Sequence, residues 1–427
     1  MTFPRFTIEQ SDTEFYTSQS GMALVGLAIN RFTTLASRIA KAAPCQRIAT
    51  ADVLRSYLGL LCQGKSDFEA IRPFREDDAF FAAALGVHDV PSPETLRQRM
   101  DKVAEAALWI VNFCTIEFLK KVKAKLSTLT SGHMPLDMDI FTQDNSKTQK
   151  EGVSYTYRKF YGFAPIAAWL GLEGWCLEIE QRPGSQHSQE GFIPVLLRAI
   201  YKSRQVTNAP LLVRLDSAHD AIATLATLIA EQVDFIVKWN PRRADVPGRA
   251  SEIFTRGTIV KQDRKGRIAL MTETVERTST DENGEEKTIR VRRVLRAIER
   301  NVDQDGTPLL IPEVEIEGWW TNLTIAEDAV IELYKGHALC EQYHSELKSD
   351  MDLERLPSGK FATNALVMSC SGLAYNILRA VGQVGLMGKK PARRAKQRRR
   401  IKTVIQDLIY FAGRFIRHAH GLTLRFS

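Results

Sequence analysis

The stretch Tyr334-Lys-Gly-His337-Ala-Leu-Cys-Glu341-Gln-Tyr-His-Ser-Glu-Leu-Lys348 carries the side chains best suited to chemistry. Wound as a helix, it sets Tyr334, His337, Glu341 and Lys348 along one stripe, at steps of three, four and seven. Leu333, Leu339, Tyr343 and Leu347 fall on another face, so the polar stripe is organised. Two further carboxylates stand at telling places. Asp139 ends a segment in which Met134, Leu136, Met138 and Ile140 alternate with Asp137 and Asp139, and Asp216 ends the apolar run Leu211–Leu215. Side chains at the carboxyl ends of strands converge on the crevice where open α/β sheets bind ligands. Carboxylate oxygens are hard ligands, suited to Mg²⁺ or Mn²⁺ rather than zinc. Two such ions, about 4 Å apart, activate water or a 3′-hydroxyl and stabilise the leaving oxygen of a phosphodiester. Asp137 competes with Asp139 for the first position; Asp139 is preferred because it lies nearer the strand end.

The elements that must position these groups follow from periodicity. Residues 1–130 read as helical, with apolar residues at helical spacing in 22–40, 50–62 and 94–124. Ser92 and Pro93 mark one helix start, and that helix carries Arg97, Arg99 and Lys102 for docking on phosphate. From 131 to 240, strands at 134–140, 155–169, 172–179, 211–215 and 235–239 interleave with helices at 190–203 and 219–232, an α/β pattern with parallel elements. Residues 241–317 read as a β-rich insertion. Arg267–Val275 and Lys287–Ile298 flank the turn signal Asp281-Glu-Asn-Gly284, and one face of the second strand is basic through Arg290 and Arg292. Residues 318–385 resume the sheet and its helices; Trp319 and Trp320 could stack a displaced base, while paired tryptophans at a strand more often place at least one ring in the core. The segment 386–427 reads as a basic helical tail whose block ends in Arg398, Arg399 and Arg400, positioned for phosphate. Lys147, Lys150, Arg158 and Lys159, interleaved with Tyr155, Tyr157, Phe160 and Tyr161, read as another nucleic-acid-facing strand.

Composition agrees with a polyanionic partner. A chain of 427 residues, 44% hydrophobic and 25% charged, is an ordinary globular protein of two or three structural units, and its formal charge of +8 favours phosphate neutralisation. Six scattered cysteines, with no Cys-x2-Cys pair, read as buried thiols in a reducing cytoplasm rather than a zinc site. No signal sequence, no apolar run of membrane-spanning length and no Gly-x4-Gly-Lys-Ser/Thr loop is apparent, so neither membrane insertion nor a nucleotide cofactor is expected. His187, His219 and His344 have no metal-motif spacing.

These residues together resemble the DDE transposases of bacterial insertion sequences, in the cut-and-paste group. That group's signature is Tyr-x2-Arg-x3-Glu-x6-Lys; Tyr334, Glu341 and Lys348 match it, and His337 replaces the Arg. Leu136-Asp-Met-Asp139, Arg214-Leu-Asp216-Ser, the Pro-Gly-Ser-Gln-His-Ser segment at 183–188, Leu356-Pro-Ser through Phe361-Ala-Thr-Asn364, and Gly421-Leu-Thr-Leu-Arg425 extend the likeness from about residue 20 onward. The resemblance implies an RNase H-like catalytic domain split by a β-rich insertion, and a triad of Asp139, Asp216 and Glu341 holding two Mg²⁺ (or Mn²⁺) ions. It also implies end contacts from Tyr334, His337 and Lys348, where His337, unlike Arg, changes charge near neutral pH. The implied reaction is nicking at terminal inverted repeats, with a hairpin intermediate in part of the group, then attack of the 3′-hydroxyl on target DNA. A homodimer or higher synaptic assembly on double-stranded DNA, in a bacterial cytoplasm and associated with the nucleoid, is the expected context. Two other readings are a catalytically silent domesticated DNA-binding protein and an RNase H-like nuclease without strand transfer.

Overall fold

The computed structural model describes residues 15–42, 47–76, 79–241, 245–280, 286–303, 305–387, 398–418 and 421–425. The expected turn at 281–284 and the basic residues 389–397 lie outside them. The chain divides into two compact units, Met1–Ala124 with Gln149–Glu151 and Glu346–Ser427, and Lys125–Thr148 with Gly152–Ser345. The sequence reading placed residues 346–385 with the sheet; their contacts group them with the N-terminal helices instead.

The second unit contains a nine-stranded mixed sheet. Its strands are β1 (Met134–Ile140), β2 (Ile166–Leu170), β3 (Trp175–Glu180), β4 (Leu211–Leu215), β5 (Asp234–Lys238), β6 (Thr258–Asp263), β7 (Gly266–Thr280), β8 (Glu286–Val302) and β9 (Pro308–Thr321). They run in the order β6-β7-β8-β9-β5-β4-β1-β2-β3. The centre is parallel, β1 beside β4 and β4 beside β5, while β2 and β3 form an antiparallel meander on one side. Every residue of β4 is buried, which explains why its sequence is a continuous apolar run rather than an alternating one. Helices α1 (Phe192–Val206) and α2 (Ile222–Ala230) make the crossovers that parallel pairing requires.

The β-rich insertion is not a separate sheet. β9 runs on through Trp319, Trp320 and Thr321, which pair antiparallel with Lys238, Val237 and Ile236 of β5. Helix α3 (Val246–Arg256) covers it, packing Ala250 and Ile253 on Ala269, Met271, Leu295, Ala297 and Ile316. The run 155–169, read as a strand interrupted at Gly162 and Pro165, breaks into Ser154–Tyr155, Tyr161–Phe163 and β2; the first two join Gln143–Asp144 in a small three-stranded sheet. Beyond β9 come α4 (Glu327–Lys335), a tight turn Gly336–Ala338 and α5 (Leu339–Ser345).

The first unit is built on two long helices, Pro93–Lys121 and Phe361–Leu386. The earlier one starts as its sequence dictates: Ser92 is extended, its Oγ accepts from the Thr95 N–H at 3.1 Å, and Pro93 fills the first turn. Leu96, Met100, Ala107, Val111, Cys114 and Phe118 form its buried stripe. Thr363 Oγ1 donates to Asp101 at 2.6 Å, and Ser369 Oγ donates to Asn112 at 2.9 Å, joining the two helices. Contrary to the sequence expectation, Phe361–Leu386 is long and apolar enough to cross a membrane; its most apolar window is 89% buried inside the protein, which accounts for that composition. Among the described residues beyond 397, the tail is helical over 401–409; Gly413–His418 and Gly421–Arg425 then form a hairpin that pairs with Phe15–Thr17. The expected all-helical N-terminal region therefore includes a strand, and the expected helical tail ends in two.

Candidate active site

Register places the first two carboxylates side by side. In the parallel pair β1–β4, Asp137 is opposite Arg214 and Met138 opposite Leu215, so Asp139 and Asp216 occupy the next position on neighbouring strands, at a strand spacing of about 4.8 Å. Asp137, Asp139, Arg214 and Asp216 share a face because strand side chains alternate. Yet the aspartates of β1 have different surroundings. Asp137 is 2% exposed; Arg214 clamps it through Nε to Oδ1 at 2.7 Å and Nη2 to Oδ2 at 2.6 Å, and His337 Nδ1 lies 3.1 Å from Oδ1. Burial would raise the Asp137 pKa, but Arg214 and His337 outweigh it and hold the carboxyl below its usual value. Burial would likewise keep His337 neutral, but the hydrogen bond and charge of Asp137 raise its pKa.

This clamp is locked to the helical segment that carries Glu341. Arg214 Nη1 donates to the Leu333 carbonyl at 2.7 Å. A Cβ on Gly336 would come within 2.5 Å of the same nitrogen, so only glycine lets the turn approach Arg214 without displacing it. Further along, His344 stacks on Phe141 at 4.5 Å, and its Nδ1 lies 3.8 Å from Asp139 Oδ2. Glu341 stands between these two histidines at helical steps of four and three, which turns it to the β1 end.

At Asp139 and Asp216, burial outweighs the charge of His337, which lowers the pKa of each. Asp139 Oδ1 accepts from the Ile140 N–H at 2.7 Å, and Asp216 Oδ1 from the Ala218 N–H at 3.1 Å. Among the described residues, no Lys or Arg forms an ion pair with Asp139, Asp216 or Glu341. Burial, reinforced by the charges of Asp216 and Glu341, pushes the Asp139 pKa up to about 7; burial also raises that of Asp216. The nearby His219 offers no compensation, since burial and neighbouring cations drive its pKa down to about 3 while its ring stacks on Phe192 at 4.0 Å. Three oxygen-donor side chains, with repulsion from Asp216 and Glu341 felt at Asp139 and no Lys or Arg ion pair to any of them among the described residues, are the donor set a hard divalent ion fits.

The positions expected to touch DNA divide. Tyr334 is half-buried, 5.5 Å from the His337 ring, and an electrostatic neighbour of Asp216 and Asp139. Arg97, Lys159 and Arg290 are exposed, and Lys348 pairs with Glu354 at 2.8 Å. Several others are corrected. His337 is buried on Asp137 and does not present its ring to a ligand. Arg99 is 9% exposed and donates to the Ile48 carbonyl and to Thr50. Arg292 is held by the Leu323 and Ile325 carbonyls at 2.7 and 2.6 Å. Trp319 is core, packed with Leu212, Ile236 and Val294, and Trp320 is also buried. Arg398 is buried against Glu346; Arg399 beside it is half-buried, and Arg400 stays exposed while pairing with Asp350 at 2.9 Å.

Sequence reasoning missed the role of Asp137 and Arg214 as a clamp; the only signal was an Arg inside an apolar strand, which at that depth demands a partner. Asp137, His337 and Cys340 have ligating atoms within 4.8 Å of one another. The Arg214 guanidinium on Asp137 makes this a neutralised cluster rather than a cation site, and burial first, then the neighbouring carboxylates, hold the Cys340 thiol well above its usual pKa.

A family model described as transposase DDE domain, group 1, matches residues 10–427. No match to a curated protein is found. Among solved structures, the chain is similar to the piggyBac transposase in a synaptic complex with hairpin DNA, at 11% identity and a TM-score of 0.44, over 92% of this chain and 80% of that one.

Proposed function

Because the chain belongs to the family of transposase DDE domains, group 1, we propose that it cleaves DNA at the terminal inverted repeats of a mobile element and transfers the freed 3′-hydroxyl ends to target DNA. The observation that carries this reading is the unmatched carboxylate set: Asp139 and Asp216 at adjacent strand ends, with Glu341 turned to them from α5. These residues would hold two Mg²⁺ or Mn²⁺ ions, which when bound lower the pKa of water and stabilise the leaving oxygen of a phosphodiester. Repulsion among the carboxylates supports that assignment, since a divalent cation relieves it.

The chain's own residues prepare the site. The Asp137–Arg214 pair fixes the ends of β1 and β4, and His337 ties the start of the Glu341 segment to the same pair, so the carboxylates are pre-positioned. Tyr334 sits beside Asp216 and Asp139 and would contact the DNA end there. The order β3-β2-β1-β4-β5, an antiparallel meander followed by two parallel strands, fits an RNase H-like core, with α3 and β6–β9 as its insertion. The proposed partners are terminal-repeat and target duplexes, and the assembly is a homodimer or larger, because two ends are joined. Cys62, Cys114, Cys176, Cys340 and Cys370 are buried thiols, which suits a bacterial cytoplasm.

The test is cleavage of DNA carrying the repeats that flank the gene. Asp216→Asn and Glu341→Gln are expected to lower Mg²⁺-dependent strand cleavage at least a thousandfold, on the order of losing a transition-state charge stabiliser, while repeat binding stays measurable. Cleavage retained in either purified variant counts against the assignment.

A further inference from the structure

We propose that the hairpin spanning Tyr155 to Tyr161 is a stacking platform for unpaired nucleotides of the DNA strand that reaches the carboxylates. The inference rests on the DNA-cleaving function above and extends it to the form of the substrate: an end whose bases have left the duplex.

Three phenol rings crowd this short element and none is buried. Tyr155, Tyr157 and Tyr161 are 53%, 61% and 57% exposed. Tyr155 and Tyr161 face each other across the strands, with ring centroids 5.4 Å apart and planes at 67°. Arg158 lies 5.9 Å from the centre of the Tyr157 ring, and Lys159 beside it is exposed. Flat apolar faces bordered by guanidinium and ammonium groups match a single strand, whose bases offer open π-faces and whose phosphates need cations. An intact duplex hides those faces and would use only the cations.

The rings are held on an ordered base, so little entropy is lost on binding. The Thr156 N–H donates to the Phe160 carbonyl at 2.8 Å, and the Lys159 N–H to the Thr156 carbonyl at 3.0 Å. Lys159 takes the left-handed backbone position that closes the turn, with φ of 66°. Below it, a Cβ on Gly162 would lie 1.9 Å from the Gln143 carbonyl oxygen, so the strand carrying Tyr161 is pressed against Gln143–Asp144 with no room for a side chain.

The platform also adjoins the candidate active site. Gln143 follows the end of β1 by only three residues, so the small sheet grows from the strand that carries Asp139. Arg158 is an electrostatic neighbour of both Glu341 and Asp139; its pKa is raised first by hydrogen bonding to Tyr157, then by those carboxylates. A strand passing from the carboxylates over Arg158 would meet the tyrosine rings next.

The test uses the full chain in EDTA, so that nothing is cut, with two probes: a 20-nucleotide single strand carrying one central 2-aminopurine, and its blunt duplex. Tyr155→Ala/Tyr161→Ala and Tyr157→Ser are expected to weaken single-strand binding by on the order of tenfold per stacked base lost. Duplex affinity should move less than twofold. The triple Phe variant at 155, 157 and 161 should keep both the affinity and the 2-aminopurine quench, since stacking needs the ring and not the hydroxyl. If the double variant does not fold by circular dichroism, Tyr157→Ser, changed at the most exposed ring, decides. Equal losses on both probes would make the hairpin a duplex grip and overturn the proposal. So would unchanged single-strand affinity and quench in the serine variant, which would leave the rings to a protein partner. Because no cleavage is involved, the platform can fail while metal-dependent cleavage stands, and a chain that stacks single strands without cutting would overturn only the cleavage assignment.

Discussion

Glu341 and Glu346 are five residues apart, and they face opposite electrostatic circumstances. Glu346, in the helical unit, is fully buried; Arg379 Nη2 reaches it at 2.7 Å, Arg398 holds its other oxygen, and the Tyr375 hydroxyl donates at 2.7 Å. Glu341, in the sheet unit, is exposed, and among the described residues neither it nor its carboxylate neighbour Asp139 forms an ion pair with a Lys or Arg. Asp137 and Asp139 repeat the contrast within a single strand. A buried charge that serves structure must be neutralised within the fold, whereas a group of carboxylates left unneutralised costs stability and points to a cation supplied from outside. The separation of paired from unpaired acids thus distinguishes anchoring from function.

The comparison breaks most readily at Glu346. Glu346→Ala strands two buried guanidinium groups and should destabilise the protein by about 3–5 kcal/mol, the usual consequence of removing one partner from a buried ion pair. Chemical denaturation measures this, and a loss below ~1 kcal/mol would mean that the cluster is not an anchor. At Asp139 the sign reverses. Its folded-state pKa of about 7 lies above the ordinary carboxylate value, so the folded protein favours the protonated form. The stability penalty therefore grows as pH rises from about 4 to 7 and is complete above 7. Metal-free Asp139→Asn should then be more stable than wild type at pH 8 by ~2 kcal/mol, the full shift being discounted for a side chain 22% exposed. The gain should shrink toward pH 4.5. Thermal melting in EDTA at the two pH values checks it; a variant less stable at pH 8 would place a cation beside Asp139 in the fold itself.

The placement of the acids in the fold was legible because strand-end position and helical spacing are local. Asp139 and Asp216 close apolar runs, and Glu341 lies on a polar stripe; Ser92 and Pro93 announced a helix that forms where they place it. Depth was not legible. The stripe gives a face but not its burial, so His337 read as a ligand contact although Asp137, 200 residues earlier, claims its ring. Arg398 read as a phosphate contact because its neighbours are basic; the acid it serves, Glu346, is 52 residues away. Trp319 could be read as a stacking surface or as core, and β9 decides for core by entering the sheet beside β5 there and burying the ring. Chain-distant partners decide all three, and local pattern does not carry them.

The central claim is that three acids far apart in sequence share divalent cations. Crystals grown with Mn²⁺ and measured for anomalous scattering test it directly. Peaks enclosed by the Asp139, Asp216 and Glu341 carboxylates, lost in Asp216→Asn, are expected. A crevice without anomalous density at saturating Mn²⁺, or a peak at Asp137, His337 and Cys340 instead, would contradict it.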